Sequence, residues 1–378
     1  MGKVRNDINM ISYHDKQYNF KEIFNPKTGF YLRTDILKQG LQSKKYINTG
    51  IDPFMRSMPA LIDIGIMGEC LHGRRRLCVS SGIECYQDGL NIKQNNMSLP
   101  DFKRIIDEIK GSALQCALGG RGDPNKHEHF EEILCYCREN SIVPNYTTSG
   151  LDLTDKEIRA TAKYVGAVAV SFYRHKHTFE ALNKFIDQGV KTNIHYVLSK
   201  NSIAEAIDRL KNEGFPENIN AVIFLLHKPV GLGTQGNVLS HDDKNLKPFF
   251  SMINSAKFPF KIGFDSCSVA GLLNYAKQID RKTLDPCEGG RFSCYIGPDM
   301  KMTPCSFDQK MKYGVDLKEK MIKDAWNSQS FELFRSALKY SCPECSDRND
   351  CMGGCPLTPE VTLCEKKYQQ TIRSLNKG

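Results

Sequence analysis

Fifteen cysteines in 378 residues are the first feature of this chain that calls for a chemical explanation. Eleven of them fall into two groups, at residues 70–85 and 287–364. The first group is Cys70-x7-Cys78-x6-Cys85. The second runs Cys287-x6-Cys294-x10-Cys305 and then, after a gap, Cys342-x2-Cys345-x5-Cys351-x3-Cys355-x8-Cys364. Cys342-Pro-Glu-Cys345 sets two thiols on one tight turn, a geometry suited to chelating one iron or zinc. Cys351-Met-Gly-Gly-Cys355 adds two more, with glycines that let the backbone approach bulky inorganic sulfide. Eight thiolates suit two four-coordinate sites, and spacing alone leaves these as two zinc sites or two iron–sulfur clusters. A disulfide framework does not fit: the count is odd, nothing directs secretion, and the chain is long enough to bury a core unaided. Cys116, Cys135, Cys137 and Cys267 sit inside apolar periodic segments and read as small buried hydrophobes.

Composition narrows the remaining classes. With 40% hydrophobic and 25% charged residues the chain is ordinary globular material. The net charge of +9 is mild, and the one dense basic run, Arg74-Arg75-Arg76, is too short to argue for a nucleic-acid partner. No apolar run approaches the roughly 18–20 residues of a membrane span. The N-terminus has no apolar core behind its charges, so no signal peptide and no membrane partner are expected. Clustered free thiols point to a reduced, cytoplasmic location.

The elements that must position these thiols follow from periodicity. Residues 1–55 are polar and weakly periodic and read as an N-terminal extension. From about residue 60, strands are predicted at Leu61–Met67, Ala113–Leu118, Ile142–Thr148, Ala167–Phe172, Thr192–Leu198, Ile219–Leu226 and Lys261–Phe264. Between them, Phe102, Ile105, Ile106 and Ile109 mark one buried helical face, as do Phe130, Ile133, Leu134 and Cys137. Phe179, Leu182, Phe185 and Ile186 mark another, which Gly189 is placed to end. Thr154-x-x-Glu157 and Ser202-x-x-Glu205 read as capping boxes. Strand–helix alternation repeated about six times implies an α/β fold with a parallel sheet, open or closed as a full or partial barrel, whose chemistry sits at the C-terminal strand ends. The alternation stops near residue 270. A short helix at Leu272–Ile279 and a Cys/Gly/Pro-rich tail follow, too poor in apolar runs to build much core without metal staples.

The second cysteine group resembles the SPASM domain that follows many radical S-adenosylmethionine (SAM) enzymes: an upstream Cys set, then C-x2-C-x5-C-x3-C and a final Cys. That resemblance implies a partial (βα)6 TIM-like barrel over residues 56–270 and a SPASM domain over 271–378. It also implies two auxiliary 4Fe–4S clusters, one on Cys287, Cys294, Cys305 and Cys355, the other on Cys342, Cys345, Cys351 and Cys364. Met300 stands where the family often has glycine. The barrel half is similar as well. A radical SAM barrel opens with a strand running into C-x3-C-x2-C, three thiolates that leave one iron free for SAM; here Leu61–Met67 runs into Cys70, Cys78 and Cys85 at longer spacing. Gly119-Gly120-Arg121-Gly122-Asp123-Pro124 follows the second strand, where the family has a Gly-Gly-Glu-Pro-like turn that contacts the SAM amino group; Arg121 replaces the Glu. The resemblance further implies that Ser171, ending the fourth strand, and Asn193, on the fifth, contact the SAM carboxylate or ribose. It covers roughly residues 60–365.

The resemblance also carries a reaction. A cluster-derived electron would cleave SAM, and the 5′-deoxyadenosyl radical would abstract hydrogen from an unactivated carbon. Members of this class mostly act on peptides or proteins, so a ribosomally made precursor peptide is the expected substrate and a thioether or other crosslink the expected product. Flavodoxin or ferredoxin is the expected reductant. Anaerobic sulfatase-maturing enzymes share the architecture but carry an Asp base directly after the third auxiliary-domain Cys; here that position is Ser306, with Asp308 two residues on. Asp265, at the end of a late strand, is the candidate base. A non-catalytic electron carrier would explain the C-terminal thiols but not a three-cysteine loop after the first barrel strand.

Overall fold

The computed structural model describes residues 10–40 and 45–367. Residues 1–9, 41–44 and 368–378 lie outside the described residues, and with them the N-terminal stretch read above for a signal peptide and the ends of the first and last expected segments. Residues 11–39 and 46–48 form two small antiparallel sheets. The strands β1 (Ile11–Asp15), β2 (Phe20–Phe24) and β3 (Tyr31–Arg33) make a meander, and β4 (Leu37–Gln39) pairs with β5 (Tyr46–Asn48). The meander buries an ion pair, Arg56–Glu22 at 2.8 Å with both side chains fully enclosed, and Tyr31 donates to the same carboxylate at 2.7 Å.

Seven parallel strands follow: β6 (Leu61–Met67), β7 (Gln115–Gly120), β8 (Val143–Thr148), β9 (Val168–Ser171), β10 (Thr192–Leu198), β11 (Ala221–Leu226) and β12 (Lys261–Phe264). They lie side by side in chain order. After the short α1 (Leu77–Ser80), the intervening helices are α2 (Leu99–Ile109), α3 (Phe130–Glu139), α4 (Asp155–Tyr164), α5 (Lys176–Asp187), α6 (Ile203–Lys211) and α7 (Leu246–Ser255). Six βα units and a seventh strand therefore make a partial barrel of α/β class, as expected. β12 is one edge of the sheet. At the other, β13 (Ser293–Ile296) pairs parallel with β6 and leads antiparallel into β14 (Lys301–Thr303) and β15 (Val315–Asp316), so residues on either side of position 270 share one ten-stranded sheet. The final helices are α8 (Val269–Tyr275), α9 (Ile322–Trp326), α10 (Gln329–Lys339) and α11 (Arg348–Cys351).

Local chemistry explains the helix ends. α2 buries Phe102, Ile105, Ile106 and Ile109, and α3 buries Phe130, Ile133, Leu134 and Cys137, the faces their periodicity predicts. α5 ends in a Schellman motif, with Gly189 at φ +70° donating to Ile186 O and Val190 to Phe185 O. The Thr154/Glu157 capping box forms on α4. The box expected at Ser202 does not. Ser202 Oγ bonds Val197 O at 2.7 Å, and Glu205 turns to Arg174 and Arg209 at 2.7 Å each, because a charged partner outbids a backbone N–H for that carboxylate.

Candidate functional site

A cavity of about 440 Å³ opens at the C-terminal ends of the barrel strands. Cys70, Cys78 and Cys85 all line it. They sit on the loop after β6, with Cys78 on α1, and the loop is pinned from the far side of the barrel: Leu232 donates to Cys85 O at 2.9 Å, and Thr234 N to Glu84 at 2.6 Å. A Cβ built on Gly89 would stand 2.9 Å from Cys70 Cβ, so the close approach of this turn to Cys70 requires glycine. Burial raises the Cys70 thiol while the His72 and Gly73 N–H groups favour its thiolate. Cys78 is pushed up to about 12, first by burial; the Tyr173 hydroxyl, 3.2 Å from its sulfur, opposes the shift. Deprotonated thiols here need a cationic occupant, which a metal cluster provides.

The turn after β7 supplies a second wall. Gly119, Gly120 and Gly122 line the cavity. Gly120 has φ +110°, and a Cβ there would stand 2.4 Å from Met67 O, so this backbone approach requires glycine. Arg121 does not face the cavity: its Nε donates to Gln87 O at 3.0 Å, tying the turn to the cysteine loop. The carboxylate that the turn does present is Asp123. It accepts from Ser149 N at 2.8 Å and Ser149 Oγ at 2.5 Å and lies 3.3 Å from His72 Nε2. The signal for it was the Asp-Pro pair closing the glycine turn.

Ser171 lines the cavity at the end of β9. Asn193 does not, because it is the second residue of β10, at the opposite end of the strand, where its side chain accepts from Asn220 Nδ2 at 2.7 Å. His195, two residues on and on the same strand face, reaches the cavity; burial pushes it down to about 4, so it is neutral at pH 7. Asp63, on β6, also faces the cavity, and burial pushes its carboxyl up to about 7.

Asp265 lines the cavity but is fully engaged. Its carboxylate accepts from Lys228 Nζ at 2.6 Å, Ser268 Oγ at 2.7 Å and Leu226 N at 3.1 Å, so both oxygens are committed to the protein itself. Lys228 is buried, with its Nζ 4.5 Å from the Phe307 ring centre. Burial opposes its charge, but Asp265 and the thiols of Cys267 and Cys355 outweigh that and raise its pKa. Asp308 is likewise committed: buried, it accepts from Lys312 N at 2.9 Å and Tyr313 N at 2.8 Å. Ser306 and Phe307, from the C-terminal part of the chain, close the cavity beside Lys228.

The C-terminal thiols form two sets. Cys287, Cys305 and Cys355 are electrostatic neighbours, Cys355 buried and the other two half-buried; burial pushes Cys287 up to about 12. Cys294 does not join them, and the ionisable groups beside it are Asp63 and Arg335. Cys267, read above as a plain hydrophobe, has Cys355 among its ionisable neighbours, and that neighbour and burial raise its thiol. The second set gathers Cys342, Cys351 and Cys364, with Cys345 closing a turn onto Cys342 O at 3.0 Å. Gly353 and Gly354 donate N–H groups to Cys351, and a Cβ on Gly353 would come within 3.1 Å of Cys342 Sγ. Among the described residues, no three Cys, His, Asp or Glu side chains close on one ion-sized point. Cys116 and Cys137 are enclosed in the core with their sulfurs 3.6 Å apart.

Residues 287–352 match the SPASM family, described as an iron–sulfur cluster-binding domain. The fold is similar to that of SuiB from Streptococcus suis. The SuiB structure bound to S-adenosylmethionine aligns with a TM-score of 0.62 at 18% identity over 82% of this chain and 78% of that one. SuiB bound to its precursor peptide SuiA gives 0.64 at 15% identity, over 92% and 97%. Native anSMEcpe with bound AdoMet and the Cp18Cys peptide gives 0.58 at 15%, over 84% and 96%. In sequence, the chain is 25% identical over 161 residues to an Fe-coproporphyrin III synthase from Methanosarcina barkeri, a match spanning 37% of this chain and 40% of that protein. The chain has the fold of a radical SAM protein and carries a C-terminal SPASM domain.

Proposed function

We propose that this chain is a radical SAM maturase of a ribosomally made peptide, cleaving SAM and abstracting hydrogen from the peptide to form a thioether or other crosslink. The observation that carries the reading is the shared cavity: the three-cysteine loop, the glycine turn after β7 and Ser306 and Phe307 of the C-terminal part all line one space of about 440 Å³. An electron carrier has no use for such a space beside its thiols.

When bound, a 4Fe–4S cluster at Cys70, Cys78 and Cys85 with SAM beside it supplies the electron and the hydrogen-abstracting radical. The residues do the rest. Three thiolates, and no fourth cysteine from this loop, leave one coordination position for SAM. The Gly119–Gly122 backbone and Asp123 receive the SAM ammonium, with Asp123 taking the part that Arg121 cannot. Ser171 offers a hydroxyl for a SAM polar group. Neutral His195 and the apolar walls from Leu226 and Leu232 exclude water from a reactive site. The Lys228–Asp265 pair braces the far wall, so Asp265 is a positioning residue and not the base.

The likeness to SuiB bound to SuiA supports a peptide substrate. Asp308, already spent on its own turn, argues against a sulfatase-maturase base at that position. Two auxiliary clusters, a flavodoxin or ferredoxin reductant and a cytoplasmic setting complete the reading; no helix among the described residues is long and apolar enough to cross a membrane. The test is anaerobic incubation of the reconstituted protein with SAM, reductant and a panel of synthetic cysteine-containing peptides. A peptide lighter by two hydrogens, dependent on SAM, is the expected product. SAM consumption with every such peptide unchanged would overturn the peptide-maturase reading.

A further inference from the structure

Asp63 is a carboxylate that the reading above leaves unused. It is the third residue of β6, with Ala117 of β7 and Tyr295 of β13 as its Cα partners on either side. Its side chain lines the cavity four residues before Met67, about 13 Å short of the end of the strand. Among the described residues four carboxylates line this cavity, and three of them are held. Asp123 accepts from Ser149, Asp265 from Lys228, and Glu84 from Thr234 N and Oγ1 at 2.6 and 2.9 Å. No hydrogen bond or ion pair among the described residues reaches Asp63. The charge that acts on it is Glu288, a second carboxylate, so burial and like charge both disfavour its anion. The long cations at the cavity do not relieve it. Lys228 is spent on Asp265 and on Leu226 O at 2.9 Å, and Arg76 is exposed at the start of α1. A carboxylate held inside a cavity without a partner is costly, and a cation carried in by a ligand supplies that partner.

The walls beside Asp63 suit the same kind of guest. Side chains alternate across a strand, so Gly65 shares the face of Asp63, and a Cβ there would collide with the Tyr295 hydroxyl. Glycine at that position therefore lets the Tyr295 ring lie along the cavity face. Tyr86, from the cysteine loop, packs on Phe307 with ring centres 4.7 Å apart, and all three rings line the cavity. Aromatic faces attract ammonium and guanidinium groups, and the protein already uses one of these in that way, with Lys228 Nζ 4.5 Å from the Phe307 ring centre. The depth of Asp63 selects a charge carried at the end of a long apolar stem, which lysine and arginine both have.

We propose that Asp63 is a specificity residue, which receives the cationic end of a lysine or arginine side chain of the peptide substrate between the rings of Tyr86 and Tyr295. The assignment rests on the peptide-maturase reading given above and names one side chain that the substrate must carry.

The probes that test it are Nα-acetyl-lysine N-methylamide and its arginine and norleucine analogues, titrated by saturation-transfer NMR into the full-length reconstituted protein holding SAM. Both cationic probes are expected to bind about tenfold or more tightly than the norleucine probe, which has the stem without the charge. Asp63→Asn keeps the shape of the side chain and removes its charge, so there the preference is expected to fall to about twofold or less, with SAM retention unchanged. Equal binding of the lysine and norleucine probes, no saturable binding of either cationic probe, or a preference that survives Asp63→Asn would each overturn the proposal. Loss of SAM from Asp63→Asn would make Asp63 a SAM contact and overturn it as well. Formation of 5′-deoxyadenosine is read on the same samples. Its absence beside a clear cation preference would overturn the maturase reading and leave the cation seat standing, whereas its formation without that preference would overturn this assignment alone.

Discussion

Removing the ammonium of Lys228 isolates what the Lys228–Asp265 pair does. The Lys228 side chain is 1% exposed and that of Asp265 17%, and their 2.6 Å contact joins the ends of β11 and β12. Lys228→Met keeps an unbranched side chain but leaves the Asp265 carboxylate with only Leu226 N and Ser268 Oγ, and Leu226 O without the Nζ donor. Breaking a buried pair from one side costs about 3–5 kcal/mol, because a charge stays enclosed without its partner. The two remaining donors and the residual exposure of Asp265 place this case near the lower figure. With an unfolding entropy of about 2.1 cal/mol/K per residue, a loss of about 3 kcal/mol lowers the Tm of a chain this size by roughly 4 °C. The double variant Lys228→Met/Asp265→Asn is expected to recover most of that loss. The assay is urea and thermal unfolding of the cluster-free protein for both single variants and the double. A Lys228→Met cost below about 1 kcal/mol, or no recovery in the double variant, would refute the pairing argument. If Asp265→Asn abolished hydrogen abstraction without any effect on stability or SAM binding, the base reading of Asp265 would return.

Three other perturbations follow from the same geometry. Gly120→Ala puts a methyl 2.4 Å from Met67 O at φ +110°, so it is expected to cost about 1–3 kcal/mol of stability and weaken SAM binding about tenfold or more in equilibrium dialysis; Gly119→Ala, with open space around it, is the stability control and should be neutral in the SAM-free protein. Burial raises the Asp63 carboxyl to about 7, so the folded state holds that proton above the unfolded value of about 3.8; the stability this contributes is present below pH 4 and lost as pH rises through 7. Between pH 5 and pH 8 the wild type should therefore lose about 3 kcal/mol more than Asp63→Asn, and parallel urea-derived profiles would contradict it. Cys116→Ala removes a thiol from a fully enclosed sulfur contact, so it is expected to cost about 1 kcal/mol and leave iron content unchanged; a drop in iron on reconstitution would make Cys116 a ligand.

Much of the barrel was legible because its signals are local. β6, β10 and β12 begin and end where their apolar runs do, and α2 and α3 bury the residues their 3.6-residue spacing selects. What was hidden depended on partners far along the chain. β2 alternates Phe20, Glu22 and Phe24 on its inward face, and the carboxylate in that row reads as surface until Arg56 is seen beside it. Asp265 reads as a lone strand-end carboxylate until the β11–β12 register brings Lys228 against it. Asn193 was placed by strand and not by strand end, and two residues along a strand, roughly 6–7 Å, separate it from the level of His195. The cysteines show the same limit: spacing identifies thiols in number but not the face of β13 on which Cys294 lies.

The central claim is a SAM-cleaving site at Cys70, Cys78 and Cys85. Its most direct measurement is 5′-deoxyadenosine formation from SAM by the anaerobically reconstituted protein with dithionite, beside the Cys70→Ala/Cys78→Ala/Cys85→Ala variant. Formation by the wild type that vanishes in the triple variant, while the auxiliary iron is retained, is the predicted result. No 5′-deoxyadenosine from a wild type carrying its full iron and sulfide would contradict the account and favour an electron carrier.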